Sequence, residues 1–267
     1  MTGFWPCSRP MRGALGNRGA ILLLLNRAEE ALESFRKAHA IEPNWLAALS
    51  NIGFALVQLK RHAEALDVFE QALAREPGNE LLLFAKGNLL EEMNRADDAV
   101  AVYDKLLAVN PASAKARFAQ CKAQLPVLYC DEAEIAMRRG AYARCLQALT
   151  EDGVFVARAA QQDFELKPPF YLPYQGMNDR DLQSAYGTLA CRLMAARLPQ
   201  QVAKAPRATS GKPLKVGVVS GFFREHSNWK IPVKGWIGGL DRNRFRVFAY
   251  HTGQSADAQT QAAKSMM

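Results

Sequence analysis

Apolar and small residues recur along the first half of this chain with two nested periods. Over a dozen residues they fall at helical spacing, as in Ala31, Leu32, Phe35 and Ala38 of "AEEALESFRKAHAIEP". Over longer distances the whole pattern returns every 34 residues. Pro43, Pro77 and Pro111 are preceded in turn by Gly19/Gly53/Gly87, Ala31/Ala65/Ala99, Phe35/Phe69/Tyr103 and Ala38/Ala72/Leu106. Glycine on one helix and alanine on the next let two helices approach closely, and the aromatic is expected to fill the space between one repeat and the next. Proline ends the second helix, because its ring cannot enter a continuing helix and the residue before it is pushed away from α.

This pattern resembles the helix–turn–helix unit of tetratricopeptide repeats. Three repeats are framed at 12–45, 46–79 and 80–113, followed by a degenerate unit at 114–137 in which Cys121 replaces the glycine, Met137 replaces the aromatic and Pro126 is expected to break the first helix. Residues 1–11 have no repeat character, and the first repeat begins without a cap, as if the array frayed there or continued before Met1. "ILLLL" at 21–25 is then a buried helix flank; a secretory leader of that length, with no small-residue cleavage site, is not supported. Arrays of this kind hold extended peptides or partner helices along their concave face.

From Arg138 to about residue 203 the helical period persists in two stretches, "YARCLQALTEDGVFVARAAQQDF" and "DRDLQSAYGTLACRLMAARLP", forming a helical transition region. Asn178 or Asp179 is placed to cap the second stretch and Pro199 to close it. Between them, Phe164, Phe170, Tyr171 and Tyr174 are expected to pack a proline-rich loop against neighbouring helices. "KAPRATSGKP", 204–213, is the linker.

At residue 214 the pattern changes from helical to β-branched. "LKVGVVS" predicts a buried parallel strand, "NWKIPVKGWIGGL" a crossover shortened by Pro232 and Gly238-Gly239, and "FRVFAYHTG" a second strand, which together make one β–α–β unit over 214–267. Ligands of such sheets lie beyond the carboxyl ends of the strands, here Ser220 to Asn228 and His251 to Gly253. No G-x-G-x-x-G motif is present, so a simple dinucleotide fold is not supported. Two strands and one crossover cannot bury both sheet faces, so the segment is expected to leave apolar surface and strand edges open. Self-association through those strands is one expected outcome, and a chain cut short within a larger fold is another. The predicted fold class is therefore mainly α: a tetratricopeptide-repeat α-solenoid and a helical transition region, followed by the start of a Rossmann-like α/β lobe.

Charge sharpens this division. The net charge of +8 lies wholly beyond residue 200, where eleven basic residues face three acidic ones. Nucleic-acid binding by this basic tail has only charge in its favour, because Trp229, Trp236 and Phe245 are accounted for by core packing. Five dispersed cysteines without a C-x-x-C pair read as reduced, mostly buried thiols of a cytoplasmic protein, and no metal-ligand cluster appears. No apolar run reaches the roughly 20 residues of a membrane span. His39 and His62 have no partner pattern and read as solvated.

The order of these parts, ending in "LKVGVVSGFFREHSNWK…LDRNRFRVFAYHTG", resembles the bacterial relatives of the SPINDLY and O-linked N-acetylglucosamine transferase family. That resemblance implies an incomplete GT-B-type lobe and transfer of a sugar from a UDP-sugar to serine or threonine hydroxyls of an acceptor protein. It implies a catalytic role for His226, the histidine in the loop after the first strand, as well as peptide-backbone binding by Asn17 and Asn51; Ala85 and Ala119 stand at the same place in the next two units. It further implies that the nucleotide-sugar lobe is absent, so that this chain alone binds no cofactor and is inactive. The sequence departs from the family where Phe222-Phe223 replaces an aspartate–phenylalanine pair and Ser227 replaces a proline. From the residues alone, His226 can equally be a loop histidine with a structural hydrogen bond, and Asn17 and Asn51 solvated helix positions. The alternative function is a non-catalytic repeat scaffold binding partner proteins.

Overall fold

The computed structural model describes residues 8–162, 166–200 and 213–266. The chain divides into two compact units, Met1–Val202 and Ala203–Met267. Phe164 and linker residues 204–212 lie outside the described residues.

The first unit is an array of paired helices. In chain order these are α1 (Ser8–Leu24), α2 (Ala28–Ile41), α3 (Leu46–Gln58), α4 (His62–Arg75), α5 (Glu80–Glu92), α6 (Ala96–Val109) and α7 (Ala114–Lys122). They pack as α1 with α2, α3 with α4 and α5 with α6, and the pairs stack through α2 on α3, α4 on α5 and α6 on α7. Residues 8–11, expected to be irregular, form the first turn of α1. The three repeat prolines lie just past the ends of α2, α4 and α6.

The turn inside each repeat has a recurrent geometry of its own. Asn26, Lys60 and Asn94, again 34 apart, have φ of 57°, 59° and 57°. Each ends its helix in the left-handed region, and the next residue's N–H reaches back five residues: Arg27 to Leu22 O at 2.8 Å, Arg61 to Leu56 O at 2.9 Å, Arg95 to Leu90 O at 2.8 Å. Asparagine tolerates this conformation better than lysine does.

The repeat glycines are required by the aromatic rings. A Cβ on Gly19 would stand 2.5 Å from the Phe35 ring, and Gly53 and Gly87 are in the same relation to Phe69 and Tyr103. All three rings are fully buried. Each ring therefore closes on the glycine of its own repeat, not in the gap between repeats where the sequence pattern placed it. The Tyr103 hydroxyl reaches Asn88 Oδ1 at 2.9 Å and Glu91 Oε1 at 2.7 Å. Burial, and then the Glu91 charge, raise its pKa, so it remains a protonated donor.

His39 is not solvated: it is half-buried on α2, and its Nδ1 is buried without a hydrogen-bond partner among the described residues. Burial, then the nearby Arg75 charge, lower its pKa from 6.5. The neutral ring is favoured in the folded state, so stability is complete above pH 6.5 and declines as pH falls through that value toward the lower folded pKa. The equivalent residues are Leu73 and Leu107. His39→Leu should remove the part of the acid destabilisation between pH 7 and 5 that is due to this ring, measured as the shift in urea midpoint; an unchanged pH slope would refute the assignment.

Beyond α7 the repeat gives way to α8 (Glu132–Glu151), α9 (Gly153–Gln161), a 3-10 turn at Leu172–Gln175 and α10 (Arg180–Arg197). Helix α8 runs unbroken across the expected 137/138 boundary. The single predicted stretch after it is two helices, because the Asp152 carboxylate accepts the Phe155 N–H at 2.9 Å and starts α9. Asp179 does not cap α10: its carboxylate is bound by Arg139 at 2.7 Å, while Asn178 Oδ1 accepts the Arg180 N–H at 3.0 Å. Phe118, Tyr142, Leu146, Phe155, Leu172 and Leu189 form the core of this region. Of the four described cysteines only Cys121 is buried; Cys145 is intermediate, and Cys130 and Cys191 are exposed, contrary to the expectation of mostly buried thiols.

The second unit has the expected β–α–β order. Strands β1 (Leu214–Ser220) and β2 (Phe245–His251) pair in parallel with Leu214 opposite Phe245 and Ser220 opposite His251. Between them a π-helical turn, Trp229–Val233, leads into α11 (Lys234–Gly239), and α12 (Ala258–Ser265) follows β2. Pro232, which has no N–H to donate, sits inside the π turn, where the Lys234 N–H reaches back to Trp229 O. One sheet face is covered by Phe223, Trp229, Ile237 and Ala263. Residues that alternate to the other face stay open, Val219 being 67% and Tyr250 56% exposed. No helix among the described residues is long and apolar enough to cross a membrane.

Candidate functional site

Along the first helix of a repeat runs a stripe of side chains that stay exposed or only partly buried. On α3 this stripe is Ala47, Asn51, Phe54 and Gln58, and on α5 it is Leu81, Ala85, Asn88 and Glu92, all exposed or partly so while the residues between them are largely buried. The spacing of three and four residues puts each set on one helical face. Asn17 on α1 is exposed and Asn51 half-buried, and neither makes a side-chain hydrogen bond among the described residues. Their amides are thus available for an external ligand.

Toward the end of the array the stripe lines a cleft of about 890 Å3 whose walls include Phe84, Asn88, Lys115, Lys122, Lys167 and Tyr171. The character of the groove changes along its length. At one repeat position Phe54, Asn88 and Lys122 succeed one another. Lys122 Nζ pairs with Glu91 at 2.5 Å, and Lys60 Nζ with Glu92 at 3.4 Å. His62 lies half-buried at the cleft, its Nε2 3.6 Å from the same Glu92 carboxylate and without a hydrogen bond among the described residues, so it is not the solvated histidine expected from sequence. Lys115 Nζ sits 4.1 Å from the centroid of Phe84.

The segment 166–171 forms the far wall. It is anchored by buried Pro169 and Leu172, whereas Phe170, Tyr171 and Tyr174 are 65%, 44% and 75% exposed and pack on one another at 5.4 to 6.3 Å. The expectation that these rings pack against helices is thereby corrected. Asn94 ties in the turn after α7, its Oδ1 accepting from the N–H groups of Val127 and Leu128 at 3.0 and 2.9 Å. This lysine-lined end escaped the sequence reading. Aligning the repeats position by position would have exposed the Phe–Asn–Lys succession, but nothing in the local sequence announces that 166–171 folds back over it.

In the second unit, the loops after β1 and β2 meet, with the Thr252 N–H donating to Ser220 O at 3.2 Å. His226 is partly exposed in the first of these loops. Its ring stacks on Phe222 at 4.3 Å between centroids, its Nδ1 accepts the Asn228 N–H at 3.1 Å, and its carbonyl accepts from Trp229 and Lys230 at 3.2 and 3.0 Å. An accepting Nδ1 leaves Nε2 as the protonated nitrogen of the neutral ring. His251, at the end of β2, faces Ser220 O at 3.2 Å and Ser255 O at 3.0 Å. His226 and His251 thus lie on the sheet edge predicted for ligands, although no metal-competent cluster of three or more ligating side chains occurs among the described residues.

Comparison with known proteins bears on the fold. Tetratricopeptide-repeat family models match residues 11–76 and 56–125. Among solved structures, a K341M mutant of the O-GlcNAc transferase of Thermobaculum terrenum aligns with a TM-score of 0.54 and 16% identity over 98% of this chain and 41% of that one. The chain thus spans about two fifths of that transferase. MamA of Desulfovibrio magneticus RS-1 aligns at 0.48 and 18% identity over 73% of this chain, and a tetratricopeptide repeat protein of Parabacteroides merdae at 0.46 and 17% over 72%. None of the curated proteins compared matches the sequence. The chain is mainly helical, with two strands among its described residues, and its helices α1 to α7 are tetratricopeptide repeats stacked as a solenoid.

Proposed function

We propose that the stripe on the first helices binds an extended segment of a partner protein, and that the chain serves as the acceptor-recognising part of a protein O-glycosyltransferase. The peptide-binding part rests on one observation: the unspent amides of Asn17 and Asn51 recur on the first helices, α1 and α3, of two successive repeats, at the spacing of the repeat. Amide side chains pair with a peptide backbone whatever its sequence, which suits recognition of many partners. Binding of a panel of fluorescein-labelled 15-residue peptides should weaken about tenfold in the double variant Asn17→Ala, Asn51→Ala, a loss of roughly 1.4 kcal/mol. Unaltered affinity would remove both residues from the site.

The transferase part is favoured by the strand–loop–His226 block and by a fold likeness that extends across both units. In this reading His226 presents Nε2–H to the acceptor or to a donor phosphate, and this chain alone does not hold the UDP-sugar. Calorimetric titration of the chain with UDP should then give no heat of binding. Tight binding that His226→Ala abolishes would instead locate the nucleotide at this loop. Without such a transferase, the repeats act as a scaffold alone.

A further inference from the structure

Beside the cleft, between α7, the turn that follows it and segment 166–171, lies an apolar cavity of about 240 Å3 walled by Phe118, Leu125, Val127, Tyr142, Pro169 and Phe170. At about 30 Å3 per water it has the volume of roughly eight waters, enough for one large side chain. It adjoins the cleft, and Lys122, Lys167, Tyr171 and Glu91 line both.

Four lysines surround this pair of spaces: Lys60, Lys115, Lys122 and Lys167. Two are neutralised, by Glu92 and Glu91. Lys115 and Lys167 are exposed and have no carboxylate partner among the described residues, and Lys115 is held in place over the Phe84 ring. An apolar hole beside two unpaired, partly positioned cations is complementary to an apolar side chain with carboxylates near it.

We infer that this end of the groove selects an acidic peptide segment, inserting one large apolar or aromatic side chain into the cavity and pairing flanking aspartates or glutamates with Lys115 and Lys167. The inference rests on the peptide-binding reading of the groove and adds to it a composition and a register. A polyanion with charge at every unit, such as a nucleic acid, is disfavoured by Glu91 and Glu92 among the lysines. A peptide can space its carboxylates to miss them.

The test uses the whole chain and three fluorescein-labelled 12-residue peptides with one central tryptophan, flanked by glutamates, serines or lysines, read by fluorescence anisotropy. The glutamate peptide should bind about tenfold more tightly than the lysine peptide at low salt, with the advantage shrinking as salt rises. Lys115→Glu with Lys167→Glu, both exposed and so harmless to folding, should abolish the preference, and Val127→Trp, which fills the cavity mouth, should weaken all peptides. Equal binding of the three peptides overturns acidic selection but leaves the peptide groove standing. Failure of every peptide to bind overturns both. Retention of the preference in the lysine double variant, or competition by a 12-nucleotide single strand as strong as that of the glutamate peptide, also overturns the inference.

Discussion

Phe69→Ala should destabilise the repeat array by about 3–5 kcal/mol, the usual cost of emptying a fully buried aromatic site. The ring is edge-on to Phe54 at 5.5 Å and lies directly on Gly53, and the space it leaves cannot be refilled by a chain whose neighbours are already at contact distance. Gly53→Val should approach the same loss from the opposite direction, since its side chain would occupy the ring's position. Combining the two should be less harmful than their sum, because each relieves the defect of the other. Urea unfolding followed by circular dichroism measures all three. A loss under about 1 kcal/mol for Phe69→Ala would mean the pair is not what joins α3 to α4.

Arg139→Leu should cost about 3 kcal/mol and loosen α10 from α8. The guanidinium, 10% exposed, donates to Asp179 at 2.7 Å, to Gln175 Oε1 at 2.6 Å and to Asn178 O at 2.9 Å, so one side chain holds the 3-10 turn and the start of α10 together. Removing it strands a largely buried carboxylate. Asp179→Asn should be milder than Arg139→Leu, because the amide oxygen still accepts and the guanidinium, although it loses its carboxylate, keeps its bonds to Gln175 and Asn178 O. Hydrogen exchange at the amides of α10 reports the loosening. Unchanged protection there would show that core residues Leu189 and Leu193, not the ion pair, hold the helix.

The repeats were legible because each local choice is made three times. Glycine, alanine, aromatic and proline recur at one spacing, and the physical demand behind each is met within a single helix pair. The two strands were legible from β-branched runs. What could not be seen depends on partners distant in sequence. Asp179 looks like a cap until Arg139, forty residues away, takes its carboxylate. His39 looks solvated until packing of the helices half-buries its ring and brings the Arg75 charge near it. The lysine-lined cleft and the apolar cavity beside it need segment 166–171 to return to α7. Of the candidate site residues, sequence placed Asn17 and Asn51 on the repeat face and His226 in the post-strand loop; their ligand roles are the proposals made above, each with the experiment that would test it.

The closure of each aromatic ring on its own glycine has an evolutionary consequence. A helix pair that completes its tightest contact internally can be copied as one stretch of gene without having to rebuild it. Inserting a second copy of residues 46–79 after residue 79 would create a single unfamiliar junction, α4 against a duplicate of α3, while every other interface already exists in the chain. Groove length can therefore change by whole units under mutation, and the reach of such a protein along its partners can evolve separately from the chemistry of the segment that follows the array.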